Sequence, residues 1–328
     1  MEEFDVIVIG TGIAGLTASL FLAKNRIKTL AIGSMLGGQM ILTDKITNYP
    51  GFKQISGKEL LERILDQLKD LEIDLRKGIV EKIEESNGKF LVKTNVGEFL
   101  AKAVIIASGK NPRKLNVKNE DKFFGKGLAY TSLENYEILK DKVVAIVGGG
   151  NSAFEAVFNA SKFAKKVYLI HRRNWFRAFK EYQEKAKKIE NLEFLTSRIV
   201  KEIRGKEKVE SLLLQKVKEE NGKIVELNEF EELKVDFVLV CIGFESKIDW
   251  LKDLVKVDEN NQIVIDNVCR TFYPNSEKIR EGIFAAGDIT NTPFKQLTIA
   301  ASEGTKAALQ AFLYLKGIKE VKRFGIWH

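Results

Sequence analysis

Two stretches of this sequence carry residues suited to gripping a chain of phosphates. In the first, Phe4-Asp5-Val6-Ile7-Val8-Ile9 runs into Gly10-Thr11-Gly12-Ile13-Ala14-Gly15, and a helical pattern follows over Leu16 to Lys24. In the second, Lys142-Val143-Val144-Ala145-Ile146-Val147 runs into Gly148-Gly149-Gly150-Asn151-Ser152-Ala153, with a helical pattern over Phe154 to Phe163. A strand, a tight glycine turn and a helix start point backbone N–H groups and the positive end of a helix dipole at an anion. In the first turn Gly10 permits the turn, Gly12 lets the backbone approach a pyrophosphate, and Gly15 lets the helix pack close to the strand. A lone glycine pattern is weak evidence; here each follows a predicted strand and opens a predicted helix, which points to dinucleotides.

The strand after each turn ends near the adenosine ribose, where an acid suits an unmodified 2′-hydroxyl and arginine suits a 2′-phosphate. After the second turn, the strand Lys166 to Ile170 leads into His171-Arg172-Arg173, with Arg177 one helical turn on, and no acid is present. Guanidinium forks grip phosphate oxygens bidentately, so this site is expected to take NADP. After the first turn, the strand Lys28 to Ile32 ends in Gly33-Ser34, with neither acid nor arginine. Gly37-Gly38-Gln39 follows, a glycine pair and an amide that could line a flat ring system. A second dinucleotide within hydride reach of NADP has to hold an acceptor, which makes FAD the expected occupant.

Both turns sit in units that read as parallel βαβ crossovers about 140 residues apart. A third glycine feature, Gly282-Ile283-Phe284-Ala285-Ala286-Gly287-Asp288, reads as a strand ending in a turn before a helix over Ala300 to Lys316. The fold expected is therefore α/β, with two Rossmann-like dinucleotide-binding domains, the second inserted into the first. Residues 1–113 and 244–328 form the expected FAD domain and 114–243 the NADP domain, with linkers at Asn111-Pro112-Arg113 and Gly243-Phe244-Glu245.

The 328 residues suffice for two cores, and 45% hydrophobic with 30% charged residues is a globular composition. No apolar run approaches the roughly 18 residues of a membrane span, and the acidic start runs directly into a strand, so no membrane is expected and the location expected is cytoplasmic. The net charge of +8 is spread among interspersed Lys and Glu rather than gathered in a basic arm, so no nucleic-acid partner is expected. No metal site is expected. The two cysteines, Cys241 and Cys269, are far apart, and Cys241 lies in the apolar run Phe237 to Ile242, which reads as a buried strand.

Taken in order, the motifs Gly10 to Gly15, Gly37-Gly38-Gln39, Asn48-Tyr49-Pro50-Gly51-Phe52, Ala107-Ser108-Gly109, Gly148 to Ala153, His171-Arg172-Arg173 with Phe176-Arg177-Ala178, Gly287-Asp288 and Gln296-Leu297 resemble the thioredoxin reductase family of two-dinucleotide flavoproteins over essentially the whole chain. The resemblance implies that Gly10, Gly12 and Gly15 hold the FAD pyrophosphate, with Gly38, Gln39, Thr43, Asn48 and Gly109 along the cofactor. It implies Gly287 and Asp288 at the ribityl chain, and Gln296 and Leu297 at the edge of the flavin ring. It also implies that Gly149, Gly150, Asn151, Ser152, Ala153, His171, Arg172, Arg173 and Arg177 hold NADPH, and that the protein is a homodimer.

One departure matters. The family's Cys-x-x-Cys is expected after Gly127-Leu128-Ala129-Tyr130, where this chain has Thr131-Ser132-Leu133-Glu134. Disulfide exchange needs a thiolate to attack and a second thiol to resolve, and neither Thr131 nor Glu134 supplies one. The chain thus resembles the family's branch of thioredoxin reductase-like ferredoxin–NADP reductases, whose C-terminal tail lays an aromatic ring over the flavin. Phe324, Trp327 and His328 are the tail candidates, with Tyr49 for the other face. That resemblance implies electron exchange between NADP(H) and a one-electron carrier, with ferredoxin or a similar acidic redox protein as partner. An NADPH oxidase or diaphorase needs the same features, while a redox sensor and a thioredoxin-disulfide reductase rank lower. No catalytic acid or base is nominated, because hydride transfer to a flavin needs none.

Overall fold

The computed structural model describes residues 1–43, 46–131, 133, 135–246 and 248–318. The chain divides into two compact units, Met1–Asn111 with the chain from Ser246 onward, and Pro112–Glu245. Each division falls two residues from the boundary that the glycine and proline signals suggested.

The first unit opens with β1 (Glu2–Ile9), α1 (Ile13–Lys24) and β2 (Thr29–Gly33), then α2 (Gly57–Leu68), β3 (Ile73–Lys77), β4 (Val80–Ser86), β5 (Lys89–Thr94) and β6 (Gly97–Ile106). The chain leaves through β7 (Asn111–Pro112). The second unit holds α3 (Glu120–Phe123), β8 (Leu128–Tyr130), β9 (Val143–Gly148), α4 (Asn151–Ala160), β10 (Lys166–His171), α5 (Lys180–Ala186), β11 (Leu192–Thr196), β12 (Arg198–Arg204), β13 (Ser211–Glu220), β14 (Lys223–Lys234) and β15 (Phe237–Cys241). After β16 (Phe244–Glu245), which pairs with β7, the chain resumes the first unit with β17 (Arg270–Phe272), β18 (Ile279–Ala285) and α6 (Leu297–Leu315).

In the first unit the sheet runs β17-β18-β6-β1-β2-β3, and the β4–β5 hairpin joins it through β6. β18, β6, β1, β2 and β3 are mutually parallel, with β17 antiparallel at the edge. Alternation along β1 sorts its side chains to two cores: Val6 and Val8 pack with α1 and α6, while Ile7 and Ile9 pack against the layer carrying Ile83, Phe90, Leu251 and Ile263. Helices α1 and α6 meet through small residues; a Cβ on Gly304 would lie 2.2 Å from the Ala14 carbonyl oxygen. Helix α6 begins three residues earlier than its hydrophobic pattern suggested, because Gln296 is its N-cap.

The second unit pairs a parallel sheet, β11-β10-β9-β15-β8, with a three-stranded antiparallel sheet, β12-β13-β14. Phe154, Val157 and Leu169 fill one side of the parallel sheet, and Val147, Ile170 and Leu212 the other. The antiparallel sheet has no counterpart in the glycine-turn pattern of the sequence. Its strands alternate Lys and Glu with apolar residues, so its outer face reads as ordinary solvated surface. No described helix is long and apolar enough to cross a membrane.

Candidate functional site

In each unit, a strand end, a glycine turn and an uncapped helix start meet at the carboxyl edge of a parallel sheet, where ligands of such folds bind. Gly10 has φ of +113°, and a Cβ there would stand 2.1 Å from the Ala107 carbonyl oxygen. A Cβ on Gly15 would stand 1.9 Å from the Gly10 carbonyl oxygen, so its hydrogen side chain lets α1 close onto the turn. Gly12 is different. It is the N-cap of α1 with no side-chain hydrogen bond, and a Cβ there would meet nothing nearer than Gly38 Cα at 3.9 Å. The open space beside it is the cavity, and the first N–H groups of α1 lack side-chain partners there.

That cavity measures about 640 Å³. Gly10, Gly12, Gly38, Gln39, Thr43, Asn48, Gly109, Gly287, Asp288, Gln296 and Leu297 all line it. Residues from distant parts of the chain meet at its wall. Gln39 Nε2 donates to the Lys110 carbonyl at 2.6 Å, and Asn48 Nδ2 donates to Gln296 Oε1 at 3.0 Å. Burial pushes the Asp288 carboxyl above its ordinary value, while Lys295 and then Lys110 pull it back. The turn presenting Asp288 is held from beneath by Glu303 of α6, only 5% exposed, which accepts from the Gly287 N–H at 2.6 Å, from Thr290 Oγ1 at 3.2 Å and from Thr292 Oγ1.

Sequence reasoning missed Glu303, and also Lys110, Trp250 and Lys295, which line the cavity. Glu303 carried no local signal, because a glutamate on a helix reads as surface. Tyr49 follows the cavity-lining Asn48; its half-buried ring packs against the first unit's core, with the Phe52 ring 6.4 Å away. Phe324, Trp327 and His328 lie outside the described residues. A cavity of this size with an open glycine N-cap at one part of its wall and the partly buried Asp288 carboxylate at another fits a dinucleotide carrying a polyol, which is the make-up of FAD.

In the second unit, Gly150 is the N-cap of α4, again with no side-chain bond, and a Cβ there would meet nothing within 4 Å. Ala153 is fully buried against the turn, Ser152 is exposed on the first helical turn, and Asn151 Oδ1 accepts from the Phe179 N–H at 2.9 Å. Gly149 lies under the His171 ring, its carbonyl accepting from the Arg177 N–H at 2.8 Å, so the arginine loop folds back over the glycine turn. Burial, followed by Arg172, Arg173 and Arg177, pushes the His171 imidazole down to about 4, leaving it neutral at physiological pH. Arg172 and Arg177 are exposed, whereas Arg173 is partly buried and its Nε lies 3.4 Å from Glu219 Oε1 on β13. Two open guanidinium forks beside an uncapped helix start fit a nucleotide bearing an extra phosphate.

Neither cysteine is placed for exchange chemistry. Cys241 is buried at the end of β15 and its thiol donates to the Thr131 carbonyl at 3.1 Å, a bond that requires the proton. Burial pushes both Cys241 and Cys269 up to about 12. Thr131 itself has φ of +68°, and its N–H donates to the Val240 carbonyl at 2.8 Å; Glu134 lies outside the described residues. The folded protein is therefore expected to show no thiol reactive toward a disulfide reagent at neutral pH, and both thiols after denaturation. A fast-reacting thiol in the native protein would contradict this placement. Among the described residues, no group of His, Cys, Asp and Glu side chains is placed to hold a metal ion.

Comparison with known proteins bears on the same motifs. The family model for pyridine nucleotide-disulphide oxidoreductases matches residues 4–304. The chain is 31% identical over 318 residues to the 34.2 kDa protein in the rubredoxin operon of Clostridium pasteurianum, covering 96% of this chain and 98% of that protein. It is 33% identical to the thioredoxin reductase of Peptoclostridium litorale, covering 95% and 97% of the two chains. Among solved structures, the thioredoxin reductase of Lactococcus lactis aligns with a TM-score of 0.79 at 31% identity, covering 96% of this chain and 99% of that one. With two dinucleotide turns, two Rossmann-like units and these relatives, the chain belongs to the pyridine nucleotide-disulphide oxidoreductase family, as a thioredoxin reductase-like oxidoreductase that uses FAD and NADPH.

Proposed function

We propose that this protein is a ferredoxin–NADP reductase of the thioredoxin reductase type, exchanging electrons between NADP(H) and an acidic one-electron carrier, and acting as a homodimer. The observation that carries the reading is the missing dithiol: Thr131 and Glu134 stand where the family's cysteines are expected, and Cys241 and Cys269 are buried with protonated thiols. Reduction of a disulfide partner by the usual exchange then has no attacking thiolate.

In this reading FAD lies in the cavity of the first unit. The N–H groups at the start of α1 and the open side of Gly12 receive the pyrophosphate, and Asp288 accepts a hydroxyl of the polyol. The start of α6 at Gln296 and Leu297 turns its positive end toward the ring edge, favouring negative charge there. NADPH takes the start of α4, with its 2′-phosphate on Arg172 and Arg177. The bound flavin supplies conversion between two-electron and one-electron transfer.

Support for a one-electron carrier comes from the net charge of +8, which suits an acidic partner, with Lys185, Lys187 and Lys188 exposed around the end of α5. A second support is the relative named for a rubredoxin operon. Steady-state NADPH oxidation with a ferredoxin, with oxidised thioredoxin and with oxygen alone is the test. The expected result is turnover with the ferredoxin well above the oxygen background and none above it with thioredoxin. Robust thioredoxin reduction overturns the reading, and turnover with oxygen alone replaces it with an oxidase.

A further inference from the structure

We propose that Trp175 is the shelf on which the adenine of NADP(H) stacks, and that Glu219 is the residue that fixes the shelf in place. The inference rests on the reading of this loop as the 2′-phosphate site and adds to it the base-binding surface. Trp175 lies between Arg173 and Arg177 in the loop after β10, and 47% of it is exposed. Half an indole in water is a large apolar surface, and it stands among cations instead of in a core.

The ring is held on two sides. Its Nε1 donates to Glu219 Oε2 at 3.2 Å, and the Arg173 guanidinium carbon lies 5.2 Å from the ring centroid. The other oxygen of the same carboxylate receives Arg173 Nε at 3.4 Å. One glutamate from β13 thus clamps both the indole and the guanidinium. Orienting a free indole and a free arginine would cost binding energy each time a ligand arrived; here both are already ordered, so stacking returns more of its energy as affinity. Arg173 spends Nε on Glu219 and keeps its terminal nitrogens.

A second observation on the same loop also calls for a ligand. His171 is 8% exposed, and its Nε2 has no hydrogen-bond partner. That ring lies against the phosphate turn: a Cβ built on Gly149 would come within 2.6 Å of the same nitrogen. Buried polar atoms of folded proteins are rarely left unpaired, so an orphan beside an anion-binding turn marks ground that a bound molecule completes. The adenine of NADP(H) hangs from the very ribose whose 2′-phosphate Arg172 and Arg177 would take, which brings the base to this loop. Bases stack on aromatic rings and on guanidinium planes alike, and Trp175 with Arg173 offers both.

The test uses the flavin-loaded protein with adenosine 2′,5′-bisphosphate and adenosine 5′-monophosphate as probes, followed by calorimetry and by tryptophan emission. The expected result is that the bisphosphate quenches emission of the wild type and that this quench disappears in Trp175→Phe. Trp175→Ala should weaken both probes by a similar factor, roughly 10- to 100-fold, the equivalent of one base stack. Trp175→Phe should recover most of the affinity, since it keeps a ring, and Glu219→Gln should give an intermediate loss by loosening the clamp. Full affinity in Trp175→Ala, with the wild type binding the bisphosphate, overturns the shelf and leaves the arginine site standing. A wild type that ignores the bisphosphate removes the 2′-phosphate reading and the shelf with it.

Discussion

Gly12→Ala is expected to give a folded protein that loses its FAD, whereas Gly15→Ala is expected to weaken the fold itself. The two glycines lie three residues apart in one motif, yet the space beside them differs. A methyl on Gly12 meets only Gly38 Cα at 3.9 Å, an ordinary contact, and projects into the cavity where a pyrophosphate would approach the start of α1. Crowding a close contact costs about 1–3 kcal/mol, so FAD affinity should fall roughly 10- to 100-fold with thermal stability of the apoprotein unchanged. A methyl on Gly15 stands 1.9 Å from the Gly10 carbonyl oxygen and 2.9 Å from its carbon, atoms of the backbone that cannot rotate aside. Helix α1 must then lift from β1, losing packing against Val8 and α6. The melting temperature of the apoprotein should drop by roughly 5–10 °C for a unit of this size. Flavin absorbance per protein and thermal melts of apoprotein separate the two effects. Equal melts for both variants, or full flavin in Gly12→Ala, would sink the assignment of separate roles.

Local chemistry is what made this chain readable. Strand, glycine turn and helix start are neighbours in sequence, so the two phosphate turns and their helices could be named from residue types alone. The lack of an acid after β10 was equally local. What could not be read depends on pairs that the fold brings together from far apart. Asn48 and Gln296 are 248 residues apart and Gln39 and Lys110 are 71 apart, yet each pair shares the cavity wall. Glu219 belongs to a hairpin whose alternating Lys and Glu look like solvated surface, and only the pairing of β13 within its sheet brings it to Arg173. The side taken by Tyr49 was unreadable for the opposite reason: its motif is local, but a phenol can turn toward the core or toward a ligand, and only the fold sets its half-buried ring 6.4 Å from that of Phe52. Glu303 was invisible because its three partners, Gly287, Thr290 and Thr292, sit on a loop ahead of α6 and reach it only once that helix packs beneath them.

Replacing Arg172 and Arg177 together with alanine should raise the KM for NADPH about 100-fold while leaving kcat within about threefold. Hydrogen bonds to a charged group contribute about 1.5–3 kcal/mol each, and exposed forks belong at the lower end, so two of them approach 3 kcal/mol, or roughly 100-fold. The 2′-phosphate is remote from the reacting nicotinamide, so its contacts are made equally in ground and transition states, and their loss appears in KM. NADH lacks that phosphate, and its KM should not change, so the preference between the two cofactors collapses. Arg173→Ala should cost less than the double variant at the phosphate, because its Nε is already engaged by Glu219. An independent readout needs no nucleotide. The positive charges of the arginines oppose protonation of His171, and removing two of them favours the charged imidazole. Its titration, followed by nuclear magnetic resonance, should move from about 4 part of the way toward 6.5, the remainder being held down by burial, which is the larger cause. Because the folded imidazole titrates below its unfolded value, its share of stability is present in full above about 6.5 and is lost as pH falls toward 4 in the native protein. In the double variant that acid-side loss should be smaller. An unchanged KM for NADPH together with an unmoved His171 titration would show that Arg172 and Arg177 face elsewhere.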